Sequence, residues 1–397
     1  MTSESGSSIP SLVNRRLALV LLSVFGTGAS FYLLLSVVPV YATSLGAGAI
    51  GAGTVTGVLM FSTVITEMAT PWLLSRIGYR PVFAAGVLLL GLPTLGLPAA
   101  TSMVAILAIC MARGIGLAVM FVTSGALVAM LVAAERRGEG VAVMGLVSLA
   151  PSVMGLPLGL WLASQVGYDF VFIAGALAAL TGLVALPALP NRASEAEGSI
   201  GLKTLWRTPA QIRPATVFVA TTLAAGAVVT FIPLAPTSQS ASFAALALFI
   251  QAATSAIARW WAGRYGDRHG AERLLVPGVL LSASGVFSLV LIASPIAVVV
   301  GMLMFGTGFG VVQNATLALM FERARASSYG AVSALWSVAY DAGLGLGGTG
   351  FGVVASRTGY PLAFAVTAAL TLCAIGPALV DRARTKSSVG RRSREVG

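Results

Sequence analysis

Four ionisable side chains lie inside long apolar runs of this sequence, where a charge is costly to bury. They are Glu67, Arg113, Arg259 and Asp341. Because a charge at the centre of a bilayer costs at least about 2.5–3.5 kcal/mol, such residues are candidates for function by default. A carboxyl group in such a place can exchange a proton, whereas an arginine stays charged and acts as a fixed charge on a carboxylate or on a bound anionic group.

The positions of these residues along their runs suggest different roles. Asp341 lies 12 residues into its run, which is about 18 Å along a helix and near the middle of a membrane. We expect Asp341 either to exchange a proton or cation, or to hold its helix through a static hydrogen bond or ion pair. Glu67 and Arg259 are 192 residues apart and are predicted to lie on opposite sides of a gate. The alternative for Arg259 is to extend its side chain to the membrane surface.

Polar and aromatic residues in the same runs are candidates for binding a small molecule. Their hydroxyl, amide and ring groups supply the hydrogen bonds and apolar surface that small-molecule sites combine. Each of them alone could equally serve helix packing. The candidates are Tyr32, Gln251, Gln313, Asn314, Trp336 and Tyr340.

The composition requires a membrane protein. Of the 397 residues, 57% are hydrophobic and 9% are charged, whereas about 25% of an ordinary soluble domain is charged. Backbone polar groups cannot stay unsatisfied in hydrocarbon, and the apolar runs are too long for barrel strands, so we expect an all-α integral membrane fold. Twelve transmembrane helices are predicted, at residues 17–41, 52–74, 82–100, 103–132, 140–163, 168–189, 214–236, 241–262, 272–293, 295–321, 329–354 and 360–380.

The basic residues predict the orientation of these spans. The chain has 24 Lys and Arg against 13 Asp and Glu, a net charge of +11, and most of this charge falls in alternate loops and the tail. Because cytoplasmic loops carry an excess of Lys and Arg, we expect both termini in the cytoplasm. With this orientation, the positive net charge is explained without binding to nucleic acid. The Ala-, Gly- and Arg-rich composition suggests a bacterial inner membrane.

The two halves of the chain are repeats of each other. A shift of 192 residues places residues 75–78 on 267–270, residues 113–116 on 305–308 and Gly167 on Gly359, and a shift near 190 places Gly155 on Gly345. Two six-helix bundles related by an axis along the membrane normal are expected, with a binding site between them. The predicted parts are an N-terminal bundle (1–189), a cytoplasmic linker (190–213), a C-terminal bundle (214–380) and a basic tail (381–397).

Two loops resemble the signature Gly-x-x-x-Asp-Arg-x-Gly-Arg-Lys of the major facilitator superfamily. The copy in the second half is close. The copy in the first half has Ser75 in place of the aspartate of the charge relay that this loop forms with helix 11 in the family. The resemblance assigns a gating role to these loops and implies two pseudo-symmetric six-helix bundles. The matching residues are Arg76 and Gly78 in the first half and Asp267, Arg268 and Gly270 in the second.

Two further motifs resemble the same family. Arg113, followed by Gly114 and Gly116, is similar to the helix-4 arginine motif that the family links to proton coupling. The helix-5 residues Pro151, Gly155 and Gly159 partly resemble the antiporter motif of exporters, although Leu146 replaces its first glycine. These resemblances imply a proton-coupled drug or metabolite efflux transporter, with Asp341, Glu67 and Arg113 in coupling.

Two other function classes remain as alternatives, and two more have no supporting motif in the sequence. A proton-coupled importer of a polar metabolite would need more converging polar groups, and a receptor or scaffold would bind without transport. The sequence contains no nucleophile triad, metal-ligand spacing or ATP-binding motif, so we expect neither an enzyme nor an ATP-driven pump. The expected partners are a small-molecule substrate, protons and the lipid bilayer. We expect a monomer that binds no nucleic acid, metal or cofactor. Transport is expected to be driven by the proton gradient.

Overall fold

The computed structural model describes residues 15–132, 136–189, 208–235, 240–325 and 328–381, and every regular element in these ranges is helical. The all-α membrane fold expected from the composition is therefore confirmed. The α-helices are α1 (Arg15–Leu35), α2 (Val37–Ser44), α3 (Gly48–Ile77), α4 (Tyr79–Gly91), α5 (Met103–Leu131), α6 (Arg137–Val166), α7 (Tyr168–Leu180), α8 (Pro209–Phe231), α9 (Ala241–His269), α10 (Glu272–Ser288), α11 (Pro295–Glu322) and α12 (Tyr329–Leu372).

Short 3-10 helices extend several of these elements. Pro93–Ala99 follows α4, Thr181–Ala188 follows α7, Ile232–Leu234 follows α8 and Leu289–Leu291 follows α10. With these extensions the described ranges contain 11 helical segments that are long and apolar enough to cross a membrane.

The last segment accounts for the difference between 11 segments and the twelve predicted spans. Tyr329–Asp381 is 53 residues long, or about 80 Å at 1.5 Å per residue, more than twice the thickness of a hydrocarbon core of about 30 Å. Gly359 has non-helical φ 80° and ψ 169° and divides α12 into two arms. Each arm is one span, which gives the predicted twelve.

The bounds of several predicted parts differ in the structure. The first span breaks between α1 and α2 because Pro39 has no N–H to donate to the Leu35 carbonyl, four residues earlier. Helix α8 begins at Pro209, five residues before the predicted bundle start at 214. Asp381 is helical and belongs to the C-terminal bundle. The predicted linker from 190 to 207 and the tail from 382 lie outside the described residues, as do residues 1–14.

Backbone conformation repeats between the halves at the predicted spacing. Gly78 (φ 92°) and Gly270 (φ 88°) end α3 and α9, and Gly167 (φ 90°) and Gly359 (φ 80°) precede the last span of each half. Only glycine adopts positive φ without strain, so each pair fixes the same turn in the two bundles.

Helix packing repeats at the same spacing. A Cβ added to Gly114 would meet Leu59 and Ser62, and one added to Gly306 would meet Gln251 and Thr254. Each of these three residues in the first half lies 192 residues before its counterpart in the second half. In both halves, the absence of a side chain at this glycine lets the helix of the fourth span pack closely against the helix of the second span.

The predicted pairing of Gly155 with Gly345 is wrong. Gly155 packs on Tyr32 of α1, and the corresponding contact with α8 is made by Gly343, which packs on Thr222. Gly345 instead packs on Met60 of α3, in the other half. The register in this helix is therefore a shift of 188 residues, because packing on the neighbouring helix, rather than the nearest glycine in sequence, sets equivalence.

The two bundles meet through short polar contacts on one side of the molecule. We call the side where α1 begins the Arg15 side and the opposite side the Gly46 side. The Ser36 hydroxyl donates to the Val229 carbonyl (2.8 Å), and the hydroxyls of Thr56 and Thr230 lie 2.9 Å apart. Helix α3 packs on the first arm of α12 toward the same side, where a Cβ on Gly53 would meet the Gly348 carbonyl.

On the Arg15 side, a buried carboxylate joins three helices of the C-terminal bundle. Asp381 is 2% exposed and receives both terminal nitrogens of Arg323 at 2.9 and 2.8 Å. Arg213 of α8 lies 3.4 Å from the same carboxylate. The helical segment that follows α12 and contains Asp381 is thereby held to the ends of α8 and α11.

We predict that Gly53→Val opens the Gly46 side. The added methyl groups would clash with the Gly348 backbone, and overpacking of this kind costs about 1–3 kcal/mol, a factor of about ten or more in population. The measurement is the rate of thiol labelling of Ser36→Cys in a Cys373→Ser background. Gly350→Val is the control, because nothing lies within 4 Å of a Cβ there. Equal labelling rates in the Gly53 variant and the control would contradict the prediction.

We also predict that Asp381→Asn lowers the free energy of unfolding by about 3–5 kcal/mol, because it leaves two partly buried guanidinium groups without their carboxylate. Thermal unfolding of the purified protein measures this loss. The matched control is Glu139→Gln, which removes the solvent-exposed pair with Arg136 and should change the melting temperature little. Similar melting temperatures for the two variants would argue against a stabilising role for Asp381.

Candidate functional site

Two carboxyl groups from opposite bundles meet between α3 and the first arm of α12. Glu67 is 7% exposed and Asp341 is 3% exposed, and their side chains lie close enough to interact with each other. Two ionised carboxylates have no hydrogen to donate, so a hydrogen bond between them requires a proton on one of the two. Close approach of these two carboxyl groups at the boundary between the bundles is therefore favourable when one of them carries a proton.

The sequence did not decide which residue Glu67 contacts. It placed Glu67 opposite Arg259 because the repeat relates these two positions, but the structure brings Glu67 to Asp341. A repeat identifies equivalent positions in the two bundles, and equivalent positions need not touch. Nothing in the spacing of Glu67 and Asp341 indicates their contact, which depends on the packing of α3 against α12.

Two tyrosines make a second polar contact between the bundles. The side chains of Tyr32 on α1 and Tyr340 on α12 lie close enough to interact with each other. Arg259 of α9 interacts electrostatically with both tyrosines, and its side chain is exposed. Tyr340 directly precedes Asp341, so the tyrosine pair adjoins the carboxyl pair.

Stacked rings extend from Tyr340 into the C-terminal bundle. Tyr340 stacks on Trp336 with centroids 6.3 Å apart, and Trp336 stacks on Phe218 at 4.5 Å and 16°. Phe218 in turn lies 6.5 Å from Phe309. We call Phe218, Phe309, Trp336 and Tyr340 the aromatic shelf. The Trp336 indole N–H donates to the Thr316 hydroxyl at 3.3 Å, which fixes the orientation of the ring.

Rings also continue from Tyr32 into the N-terminal bundle. Tyr32 and Phe31 have centroids 4.8 Å apart, and Phe31 lies 6.3 Å from Phe121. Sequence reasoning selected Tyr32, Trp336 and Tyr340 but missed the phenylalanines. Phenylalanine is common in apolar spans, and no spacing distinguishes a ring at the site from one in the core.

The amide candidates lie between α9 and α11 in the C-terminal bundle. Gln251 is 5% exposed and Gln313 is 9% exposed. Gln313 follows Phe309 by one helical turn and so shares its face. The Asn314 side chain lies against Gly263 of α9. These residues adjoin the aromatic shelf through α11, and their predicted contact with substrate stays a prediction.

Arg113 is buried in the N-terminal bundle. It is 1% exposed, donates to the Ser30 carbonyl at 3.3 Å and lies near Cys110, and its Nε has no hydrogen-bond partner. Within the described ranges, no ion pair involves Arg113. Its expected influence on a carboxylate therefore stays a prediction.

The gating candidates lie at the ends of α3 and α9, where the residues predicted in loops belong to the last helical turns and only the glycines lie beyond them. Gly78 and Gly270 make the turns already described, and Arg76, Asp267 and Arg268 are exposed. The Arg76 guanidinium lies 5.6 Å from the centre of the Trp72 ring. The ion pairs of the described residues do not include these loops.

The motif predicted for the fifth span lies on α6 and packs this helix against α1. A Cβ on Gly155 would meet Tyr32, one on Gly159 would meet the Leu33 carbonyl, and Pro151 lies near Gly28. These small residues therefore set the distance between α6 and the helix segment that carries Tyr32.

The chain matches the family model of the Major Facilitator Superfamily over residues 20–348 and again over 237–396. It belongs to this superfamily. The predicted family is therefore confirmed, and with it a multi-pass membrane protein of the transporter class rather than an enzyme class. No curated protein sequence is significantly similar to the chain. In the described residues, no group of His, Cys, Asp and Glu is arranged to hold a metal ion.

Solved structures of the superfamily share this fold. A bacterial homologue of the human lysosomal transporter Spinster, inward-facing and unoccupied, has a TM-score of 0.77 at 13% identity, covering 92% of this chain and 96% of that one. The nucleoside transporter NupG has a TM-score of 0.67 at 13% identity, covering 93% and 99%. At these identities the similarity extends to the fold alone.

We predict that Arg113→Met keeps or raises the melting temperature. The substitution removes a buried cation without an acidic partner in the described ranges, and apolar replacements of buried charges are often neutral or stabilising. Thermal unfolding measures the effect, with Leu117→Met on the same helix as a volume-conserving control. A clear fall in the melting temperature for Arg113→Met alone would assign the residue a structural role through Ser30.

Proposed function

We propose that this superfamily member is a proton-coupled secondary transporter whose proton site is the Glu67–Asp341 pair. The single observation that carries the proposal is the contact of two buried carboxyl groups, one from each bundle. A transporter of this architecture works by moving one bundle against the other around a central site. A proton held at the boundary can therefore favour one arrangement of the bundles over another.

The coupling follows from the charge of the pair. With one shared proton, the two carboxyl groups attract each other through a hydrogen bond. When that proton leaves, two negative charges remain in a site with little water, where their repulsion is far stronger than in bulk solvent. Separation of α3 from α12 relieves this repulsion, so proton loss favours a rearrangement of the bundles.

The substrate site in this proposal adjoins the proton site. The aromatic shelf offers apolar ring surface, and Tyr32, Tyr340 and the amides of Gln251 and Gln313 offer hydrogen bonds. This combination suits a small apolar or amphipathic compound. Movement of the bundles would change the distance between Tyr32 and Tyr340 and hence the shape of the site.

We propose export in exchange for protons as the first candidate for direction. The partial antiporter motif of α6 supports it, since Gly155 and Gly159 pack on the part of α1 that carries Tyr32. The basic loops and tail support a cytoplasmic Arg15 side in a bacterial inner membrane. The polar contacts on the Gly46 side would then close the outer entrance. Drug efflux, the proton gradient as the energy source and a monomeric state belong to this proposal.

Import with co-transported protons is the second candidate. The observation that favours it is Arg259, a positive charge next to the tyrosine pair that could hold a polar substrate group. The two candidates differ in the direction in which protons move when substrate is added to one side of a membrane.

The test uses proteoliposomes with the pH dye pyranine trapped inside and amphipathic compounds such as ethidium, Hoechst 33342 and indole-3-acetate added outside. Exchange raises the internal pH, and co-transport lowers it, relative to liposomes without protein. We expect Glu67→Gln and Asp341→Asn to abolish this proton movement. Asp169→Asn, at an exposed acid on α7, is the matched control and should retain it.

Proton movement at the parental rate in both carboxyl variants would contradict the proton assignment. Compound flux without any accompanying proton movement in the parental protein would contradict coupling itself. Compound binding without flux would instead support a receptor.

A further inference from the structure

Arg259 is a positive charge between the bundles that lacks an acidic partner in the described part of the chain. The ion pairs there are Arg136–Glu139, Arg213–Asp381 and Arg323–Asp381. The carboxyl groups of Glu67 and Asp341 interact with each other. A guanidinium inside a membrane protein normally pairs with an acid, so an exposed one at this boundary is available to an anion from outside the chain.

The position of Arg259 on α9 directs it toward the site. Gln251 and Ser255 are buried and lie four residues apart, and Arg259 follows Ser255 by one further four-residue step on the same side of the helix. Helix α9 packs against α6 of the other bundle, and Arg259 interacts electrostatically with Tyr32 and Tyr340, so we place its guanidinium near the boundary of the bundles.

We infer that Arg259, Tyr32 and Tyr340 form a binding site for the carboxylate group of a small aromatic substrate. The guanidinium has five N–H donors in a planar fork that matches the two oxygens of a carboxylate, and each tyrosine adds a hydroxyl donor. The inference deepens the proposed function, since it names the substrate class of the same site, and it rests on that function.

The aromatic shelf explains why the acid should carry a planar ring. Trp336 stacks on Tyr340 at 6.3 Å and 19°, so apolar ring surface begins one helical turn from the tyrosine that would bind the acidic group. Rings gain from offset stacking on such surfaces. We therefore expect an acid that carries an aromatic ring, with the acid group at Arg259 and the ring beside Trp336.

The carboxyl pair links this anion site to protons. The titratable and charged groups around the bound carboxylate would be Tyr32 on α1, Arg259 on α9, and Tyr340 and Asp341 on α12. Glu67 on α3 adjoins this group through Asp341. A carboxylate bound next to Asp341 disfavours a second negative charge there, so it stabilises the shared proton. By reciprocity the shared proton strengthens anion binding. Anion binding should therefore take up a proton, which is the sign expected for co-transport.

The experiment is isothermal titration of the purified full-length protein with benzoate, phenylacetate and indole-3-acetate, each compared with its uncharged amide. We expect each carboxylate to bind at least about tenfold more tightly than its amide, the size of a hydrogen bond to a charged group. Arg259→Gln should remove this difference, and Arg259→Lys should restore part of it. Titration of the carboxylates in two buffers of different ionisation enthalpy should show proton uptake.

Arg264→Gln is the matched control. Arg264 lies on the same helix, is exposed and stacks over Trp260 at 4.1 Å, so its loss should leave the preference for carboxylates unchanged. Equal affinity for acids and amides, no binding of any of the acids, or a preference that survives in Arg259→Gln would each overturn the inference.

The same measurement separates this inference from the proposed function. Glu67→Gln and Asp341→Asn should abolish proton uptake on binding but keep the preference for carboxylates, because Arg259 is intact. A preference retained in the parental protein, together with proton movement unaffected by the carboxyl variants in proteoliposomes, would refute the proton site and leave the anion site standing.

Discussion

The close packing of α3 on the first arm of α12 is the constraint on which the site depends. These helices belong to different bundles, and glycines on both sides, among them Gly53, Gly57, Gly345 and Gly348, bring their backbones together. Only this approach allows the carboxyl groups of Glu67 and Asp341 to reach each other. The mechanism proposed for the protein therefore depends on residues that have no side chain.

The structure combines a symmetric framework with an asymmetric site. Glycines at equivalent positions set the same turns and the same contact between the second and fourth helices in each bundle. The residues that carry charge or hydrogen bonds between the bundles do not follow this symmetry: Glu67 corresponds to Arg259, and Tyr340 has no equivalent among the candidate residues. The repeated residues thus account for the shape of the bundles, and the residues that differ between the halves supply the charges and hydrogen-bonding groups of the site.

Sequence reasoning reached the framework more fully than the site. Apolar runs located the spans, and the 192-residue shift identified Gly78 with Gly270 and Gly167 with Gly359, because a turn at positive φ depends on one local residue type. It also selected Glu67, Asp341, Tyr32, Trp336 and Tyr340. It could not predict which of them touch, nor include Phe218, because such contacts depend on the relative rotation of helices from two bundles. That rotation leaves no local pattern in the sequence.

The polar contacts on the Gly46 side consist of neutral groups. Hydroxyls of Ser36, Thr56 and Thr230 and a backbone carbonyl hold the bundles together there. A hydrogen bond of this kind contributes about 0.5–1.5 kcal/mol net, and it is not screened by salt in the way that an exposed ion pair is. Each of these hydrogen bonds is thus weak by itself, and the polar part of the contact does not depend on ionic strength. In the mechanism proposed above, the barrier to opening this side should therefore be the same in a dilute and in a saline medium.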